Sequence, residues 1–292
     1  MNYLVLILIL VSSITSSYWN FKLKQAINKG ADKILIYWMS YISGVLIYSL
    51  LFIFLIKNFS ISYQGIFLAI LNGASFAIYA LLLSESYELS DLSKAFPLSK
   101  ITPLFTLFIG IVILKETVAI TALIGIFLII LGVYCIHLED FGLRNILKPV
   151  IALNNKGSLF ALGTAGISAI YGLLFKLSIG KINQFVFIYL SYLLAIIFYI
   201  PFLYLKKKNI ISEFKVYKKE LILIGIFDML GAILILWALS LSKLSYVFAL
   251  RQISILFTVA AGVYLFKEQY GRTRIISSLI ILVGIILVSV NI

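Results

Sequence analysis

Groups able to do chemistry are scarce in this chain. Its 292 residues include one histidine, His137, and one cysteine, Cys135. A lone cysteine forms no internal disulfide, and one cysteine with one histidine makes no zinc site, so no metal is expected. There is no Gly-rich phosphate loop ending in Lys-Ser/Thr, so no ATP-driven step is expected. A Ser-His-Asp triad would rest on a histidine at the end of an apolar run, so no catalytic residue is assigned. Neither an enzyme nor a cofactor is expected. Charge is scarce as well: 12% of residues are charged, and the 11 acidic residues are fewer than half of the 24 basic ones. A soluble exterior needs more polar surface than that.

What is present is apolar. Hydrophobic residues make up 63% of the chain and the mean hydropathy is +1.13. No single core buries so much, so lipid must be the solvent for most of the surface. Hydrocarbon leaves a bare backbone unsatisfied, which restricts the spans to helices or a closed barrel. The apolar runs are continuous rather than alternating, which selects helices. The net charge of +13 does not point to nucleic acid. The basic residues sit at the ends of apolar runs, with no basic stripe interleaved with aromatics. Topology and anionic lipid headgroups account for them.

Ten spans are expected, roughly at Tyr3–Tyr18, Ile34–Ile56, Gln64–Leu83, Leu92–Leu114, Val118–His137, Ser158–Leu177, Gln184–Leu205, Leu221–Leu241, Tyr246–Phe266 and Thr273–Val290. At about 1.5 Å per residue, about 20 residues cross a hydrocarbon core of about 30 Å. The first span lacks the basic n-region of a signal peptide, so it is read as retained. Two polar segments stand out, Leu138–Gly157 and Lys206–Glu220.

Sliding the sequence by 152 residues exposes a repeat. Leu92-Ser93 falls on Leu244-Ser245, Leu104-Phe105-Thr106 on Leu256-Phe257-Thr258, Gly73 on Gly225, Gly110 on Gly262, and Lys115-Glu116 on Lys267-Glu268. Apolar composition alone does not produce such matches in one register. A weaker echo places Phe21-Lys22-Leu23 on Phe175-Lys176-Leu177 and Ser40-Tyr41 on Ser191-Tyr192. The expected organisation is a first five-helix repeat at 1–137, a linker at 138–157 and a second repeat at 158–292. Five is odd, so the halves enter the membrane inverted. Inverted repeats are a transporter construction, with the site near the midplane between the halves.

The pattern of an apolar span, then Lys115-Glu116, then a span carrying Gly125 and Gly132 resembles the drug/metabolite transporter superfamily, in its ten-helix EamA type. The second half repeats it with Ser277 in place of the first glycine, and Tyr18-Trp19-Asn20-Phe21 is similar to that family's tryptophan-rich end of the first helix. The resemblance covers nearly the whole chain. It implies a secondary transporter, often an exporter of amino acids, metabolites or drugs. It also implies a cavity lined by spans 1, 3, 4, 6, 8 and 9, with spans 5 and 10 at the periphery.

Ionisable groups inside a span cost about 2.5–3.5 kcal/mol at the centre of a helix, which makes them functional candidates. Asp228, seven residues into its span, suits a substrate amine or a coupling proton, and Arg251 suits a carboxylate; a static ion pair is the structural alternative. Lys100 is the third, and for both Lys100 and Arg251 snorkelling to the interface is the alternative. In the repeat register Ser99 meets Arg251 and Lys100 meets Gln252, so both halves place polar groups alike. Asn72, Trp237 and Tyr246 complete the substrate-site candidates. Pro97 and Pro103 have no counterparts in span 9 and are expected to kink span 4 or free a carbonyl. Glu85, Glu88 and Asp91 are read as interfacial. Glu116 and Glu268 are read as caps of the helices they open. The small residues of span 1 (Ser12, Ser13, Thr15, Ser16, Ser17) and span 6 (Gly157, Ala161, Ala165, Ala169) are read as packing faces.

Orientation draws two opposed readings. The connections after odd-numbered spans, with the span ends beside them, hold 17 Lys and Arg against 5 for the even-numbered ones, which places both termini outside. The resemblance implies both termini inside. The reading as a whole is an all-α integral protein of the plasma membrane with ten helices in two inverted repeats. It works as a monomer or homodimer in contact with lipid and exports a small polar or amphipathic metabolite, such as an amino acid, by alternating access. Coupling to protons or exchange follows from the resemblance. A flippase for a lipid-linked sugar is the alternative, with an intramembrane enzyme behind it.

Overall fold

The computed structural model describes residues 3–55, 62–89, 98–135, 138, 156–203, 210–257 and 271–291. Asp91, Pro97, His137, Glu268 and nearly all of the linker lie outside them, as does the side chain of Glu88. The described residues form helices without strands: α1 (Tyr3–Asn28), α2 (Lys33–Leu55), α3 (Tyr63–Leu89), α4 (Thr102–Val112), α5 (Ile120–Cys135), α6 (Lys156–Ser178), α7 (Gln184–Leu203), α8 (Ile210–Leu241), α9 (Leu244–Leu250) and α10 (Gly271–Ser289). Seven helices are long and apolar enough to cross a membrane, and α4, α5 and the stretch Leu244–Phe257 are shorter apolar helices. The exterior is as apolar as lipid contact requires: Leu50 is 65% exposed, Phe127 68% and Leu279 55%.

Three helices outrun their apolar runs. α1 continues to Asn28, α3 to Leu89, and α8 begins at Ile210 with a kink at Tyr217 (φ −107°, ψ 15°). Hydropathy marks where the chain leaves lipid, whereas a helix continues as long as its own backbone bonds hold. Glu85 therefore sits within the last turns of α3 rather than after it.

The pairing of helices obeys the repeat. α1 packs on α8 as α6 packs on α3, and α3 packs on α7 as α8 packs on α2. The pairs α2·α7, α4·α9 and α5·α10 lie on the pseudo-two-fold itself. Small residues set the closest approaches. A Cβ on Gly125 would lie 2.7 Å from the Gly284 carbonyl oxygen, and one on Gly284 2.5 Å from that of Gly125, so α5 and α10 meet backbone to backbone. Gly73 lies against the Ser191 carbonyl of α7, and its repeat mate Gly225 lies against that of Ser40 in α2.

The expected fourth and ninth spans are both interrupted, and at the same place. Leu98 and Ser99 are helical, Lys100 is a turn, and α4 starts at Thr102 with Pro103 in its first turn. α9 ends at Leu250, Arg251 and Gln252 form a turn, and helix resumes from Ile253 to Phe257. In both, the backbone tightens to three-residue bonds: the N–H of Ile101 donates to Leu98 O and that of Leu104 to Ile101 O, while Gln252 donates to Ala249 O and Ile255 to Gln252 O. Proline accounts for the first break, since it supplies no N–H. At the second, side chains of α1 add donors: Ser13 Oγ donates to Arg251 O (3.3 Å), which also accepts from Ser254 N–H, and Ser17 Oγ donates to Ser254 O (3.1 Å). The serines of α1 also bond across to α8, through Ser12 Oγ to Gly231 O at 3.0 Å.

Candidate functional site

A cavity lies between the repeats. Its wall is mostly aromatic: Trp19 from α1, Tyr37 and Tyr41 from α2, Phe76 and Tyr79 from α3, Tyr171 and Phe175 from α6, and Tyr192 from α7. α8 adds Asp228, Ala232 and Ile235, and Arg251 enters from the break after α9. Several of these are repeat mates. Phe76 corresponds to Asp228 at 152 residues, and Tyr41 to Tyr192 at 151.

The rings brace one another edge to face. The Tyr41 and Tyr192 centroids are 5.0 Å apart, Phe76 and Tyr192 5.1 Å, and Phe76 and Tyr171 5.5 Å. Pairs of this kind add about 0.5–1.5 kcal/mol each beyond their buried area, which makes a stiff wall. Onto it the two charges are fastened by tyrosine hydroxyls. Tyr192 donates to Asp228 Oδ2 at 2.9 Å, and Arg251 Nη1 donates to the Tyr171 hydroxyl at 3.0 Å. Arg251 also lies 5.9 Å over the ring of Phe248. Asp228 and Arg251 form no ion pair with each other; among the described residues the salt bridge is Lys29–Glu220, 2.8 Å, at the periphery. Two opposite charges therefore face one cavity, each with hydrogen-bonding capacity left over.

The remaining candidates are placed as follows. Ser99 is buried and Lys100 half-buried at the break before α4. Gln252 is buried and donates to Phe248 O one turn back, at 3.2 Å. Asn72 is fully buried in α3 with neither amide atom hydrogen-bonded. Trp237 turns outward, 48% exposed. Tyr246 is buried away from the cavity, where its hydroxyl accepts from Ala119 N–H at 3.1 Å. Of the eight candidates, Asp228 and Arg251 are the ones that line the cavity. The wall also draws on α2 and α7, which were not expected to contribute, and on no described residue of α4. The tyrosines of α2 and α7 reach inward because these helices cross on the pseudo-two-fold. α5 and α10 contribute nothing to the wall and pack on each other.

Glu116 departs from its expected role. It does not cap α5, which it precedes. Its Oε1 accepts from Leu244 N–H at 2.6 Å, and its Oε2 accepts from Ser245 N–H at 3.2 Å and Ser245 Oγ at 2.8 Å. It caps α9 of the other repeat. The connection that carries it turns at Lys115, whose φ of +52° is rare outside glycine, and this aims the carboxylate across the interface.

Comparison with known proteins fixes the family. The EamA-like transporter family matches twice, over residues 3–138 and 155–290. The chain belongs to the EamA-like transporter family. It is thus an integral membrane transporter of small solutes, and lipid is its environment. A solved structure described only as the crystal structure of a protein superposes with a TM-score of 0.73, over 99% of this chain and 97% of that one, at 12% identity. At that identity the likeness concerns the fold alone. Among curated proteins none matches significantly.

Proposed function

We propose that this EamA-like protein is a secondary active exporter of a small amphipathic metabolite, an amino acid being the fitting example, and that it works by alternating access. The observation that carries this reading is the pair Asp228 and Arg251, which face one aromatic cavity while each is held by a tyrosine instead of by the other. A zwitterion supplies what both lack. Its ammonium meets Asp228, its carboxylate meets Arg251 in a charge-assisted contact, and its apolar side chain lies against the rings. Charges prealigned by Tyr192 and Tyr171 lower the ordering cost of binding. Export, and coupling to protons or to exchange, rest on family membership. The plasma membrane is the setting this reading implies.

A thermal-shift screen of purified protein against amino acids, nucleosides, sugars and cationic drugs, with Asp228→Asn beside wild type, tests the proposal. A ligand at about 100 times its Kd stabilises by about 2.7 kcal/mol. Stabilisation of wild type but not of the variant by one amphipathic class is the expected result. Stabilisation by lipid-linked sugars alone would replace this reading with a flippase.

A further inference from the structure

The two repeats are tied together at the end of the bundle that carries the α4–α5, α6–α7 and α8–α9 connections. Glu116 takes three hydrogen bonds from the first turn of α9 there. Gly110 makes room for it, since a Cβ at that position would lie 2.6 Å from Glu116 Oε2. Beside it the Lys243 ammonium donates to the Thr117 carbonyl, and Lys176 donates to the Leu239 (2.7 Å) and Ser242 (2.5 Å) carbonyls at the end of α8. Between this cluster and the cavity stands Phe248, 6.0 Å from Tyr171 and pressed on the backbone of Gly172.

α9 joins the cluster to the cavity. All seven of its residues are buried, so its two turns move as one body. Glu116 holds the N-terminal end, and Arg251 leaves the C-terminal end into the cavity. We infer that Glu116 is a releasable latch between the repeats, which closes this end of the cavity and, through α9, sets the position of Arg251. The chemistry suits release. The contacts are hydrogen bonds of a half-buried carboxylate at a helix start, and water replaces such partners at little cost once the loop lifts. Apolar interlocking would not exchange so readily. The symmetry-related positions carry the same residue types in the same register, Gly262 and Glu268 in the second repeat and Leu92-Ser93 in the first, all outside the described residues.

The inference rests on the transporter reading, yet its test needs no solute. Ala249, fully buried between the latch and Arg251, is replaced by cysteine; the native Cys135 is kept as a control. Cys135 is buried 15 residues along α5 from its first residue Ile120, about 22 Å from that end. Labelling of each thiol by a polar maleimide is followed by peptide mapping, in the Ala249→Cys background and with Glu116→Gln added. The expected result is labelling at position 249 faster by about tenfold, the rate equivalent of one weakened polar contact, with Cys135 unchanged. Unchanged labelling at 249, or an equal rise at both thiols, overturns the latch and leaves Glu116 a static cap. Ser245→Ala, which removes one of the three contacts, gives the same decision with a smaller rise if Glu116→Gln does not fold. Failure of amino-acid binding beside the expected labelling would leave the latch standing, and the converse result would leave the binding proposal standing.

Discussion

The first and second repeats share a scaffold and divide the chemistry. Where the first places Phe76, the second places Asp228; where the first places Ser99, the second places Arg251. Both charges of the cavity wall come from the second repeat, while the first lines the same space with Trp19, Tyr37, Tyr41, Phe76 and Tyr79. The difference runs the other way in the supporting helices. α1 has Ser13 and Ser17 to bond carbonyls near the broken α9, whereas the hydroxyls of Thr164 and Ser168 in α6 turn back to carbonyls of their own helix. A duplicated fold supplies paired positions around a central axis. Function lies where the pairs have become unequal.

That comparison is open to attack by mutation. The largest effect is expected at the charges. Arg251→Gln or Asp228→Asn removes one partner of a desolvated polar contact, worth about 2–5 kcal/mol. Solute affinity measured by calorimetry should fall by at least about 30-fold, while Ser99→Ala, the mate of Arg251, changes it less than about threefold. Tyr192→Phe comes next. It deletes a hydrogen bond to a charged group, about 1.5–3 kcal/mol, and should weaken binding by about tenfold or more. Tyr41→Phe, at the equivalent position but with no hydrogen bond to the carboxylate, should not. If Tyr41→Phe proves equal to Tyr192→Phe, the asymmetry assigned to the cavity is wrong.

Stability should follow symmetry where binding does not. Gly125→Val and Gly284→Val each force a side chain into the other's backbone, at about 1–3 kcal/mol, and thermal melts should show similar losses for the two. The smallest expected effect is Ser13→Ala, about 0.6 kcal/mol as for other interhelical hydrogen bonds in membranes, seen as a slight fall in melting temperature.

Much of this architecture is legible in the sequence, because lipid forces long apolar helices and because a match of Ser, Gly and Lys-Glu at one offset stands out from a shared apolar background. The break before α4 is legible from Pro103. The one at Arg251 is not, because Arg251-Gln252 reads as two polar residues within a continuous helix and no proline marks it. The aromatic wall is hidden for another reason: a tyrosine in a span reads as an interface anchor, and the echo of Ser40-Tyr41 in Ser191-Tyr192 was informative about the repeat before it was informative about the cavity. Glu116 looks like a local cap because its partners, Leu244 and Ser245, lie 128 and 129 residues away. Asp228 and Arg251 stood out because charge within a span is costly.

The central claim is that the second repeat's two charges bind opposite ends of one solute. Calorimetry of an amino acid and of its amide, which lacks the carboxylate, against wild type and Arg251→Gln tests it most directly. The account predicts that the amide binds wild type at least about 30-fold more weakly than the amino acid does, and that the two ligands bind Arg251→Gln alike, since the lost group and the lost partner are the same interaction. An amide that binds wild type as tightly as the amino acid, or a preference that survives in Arg251→Gln, would contradict it.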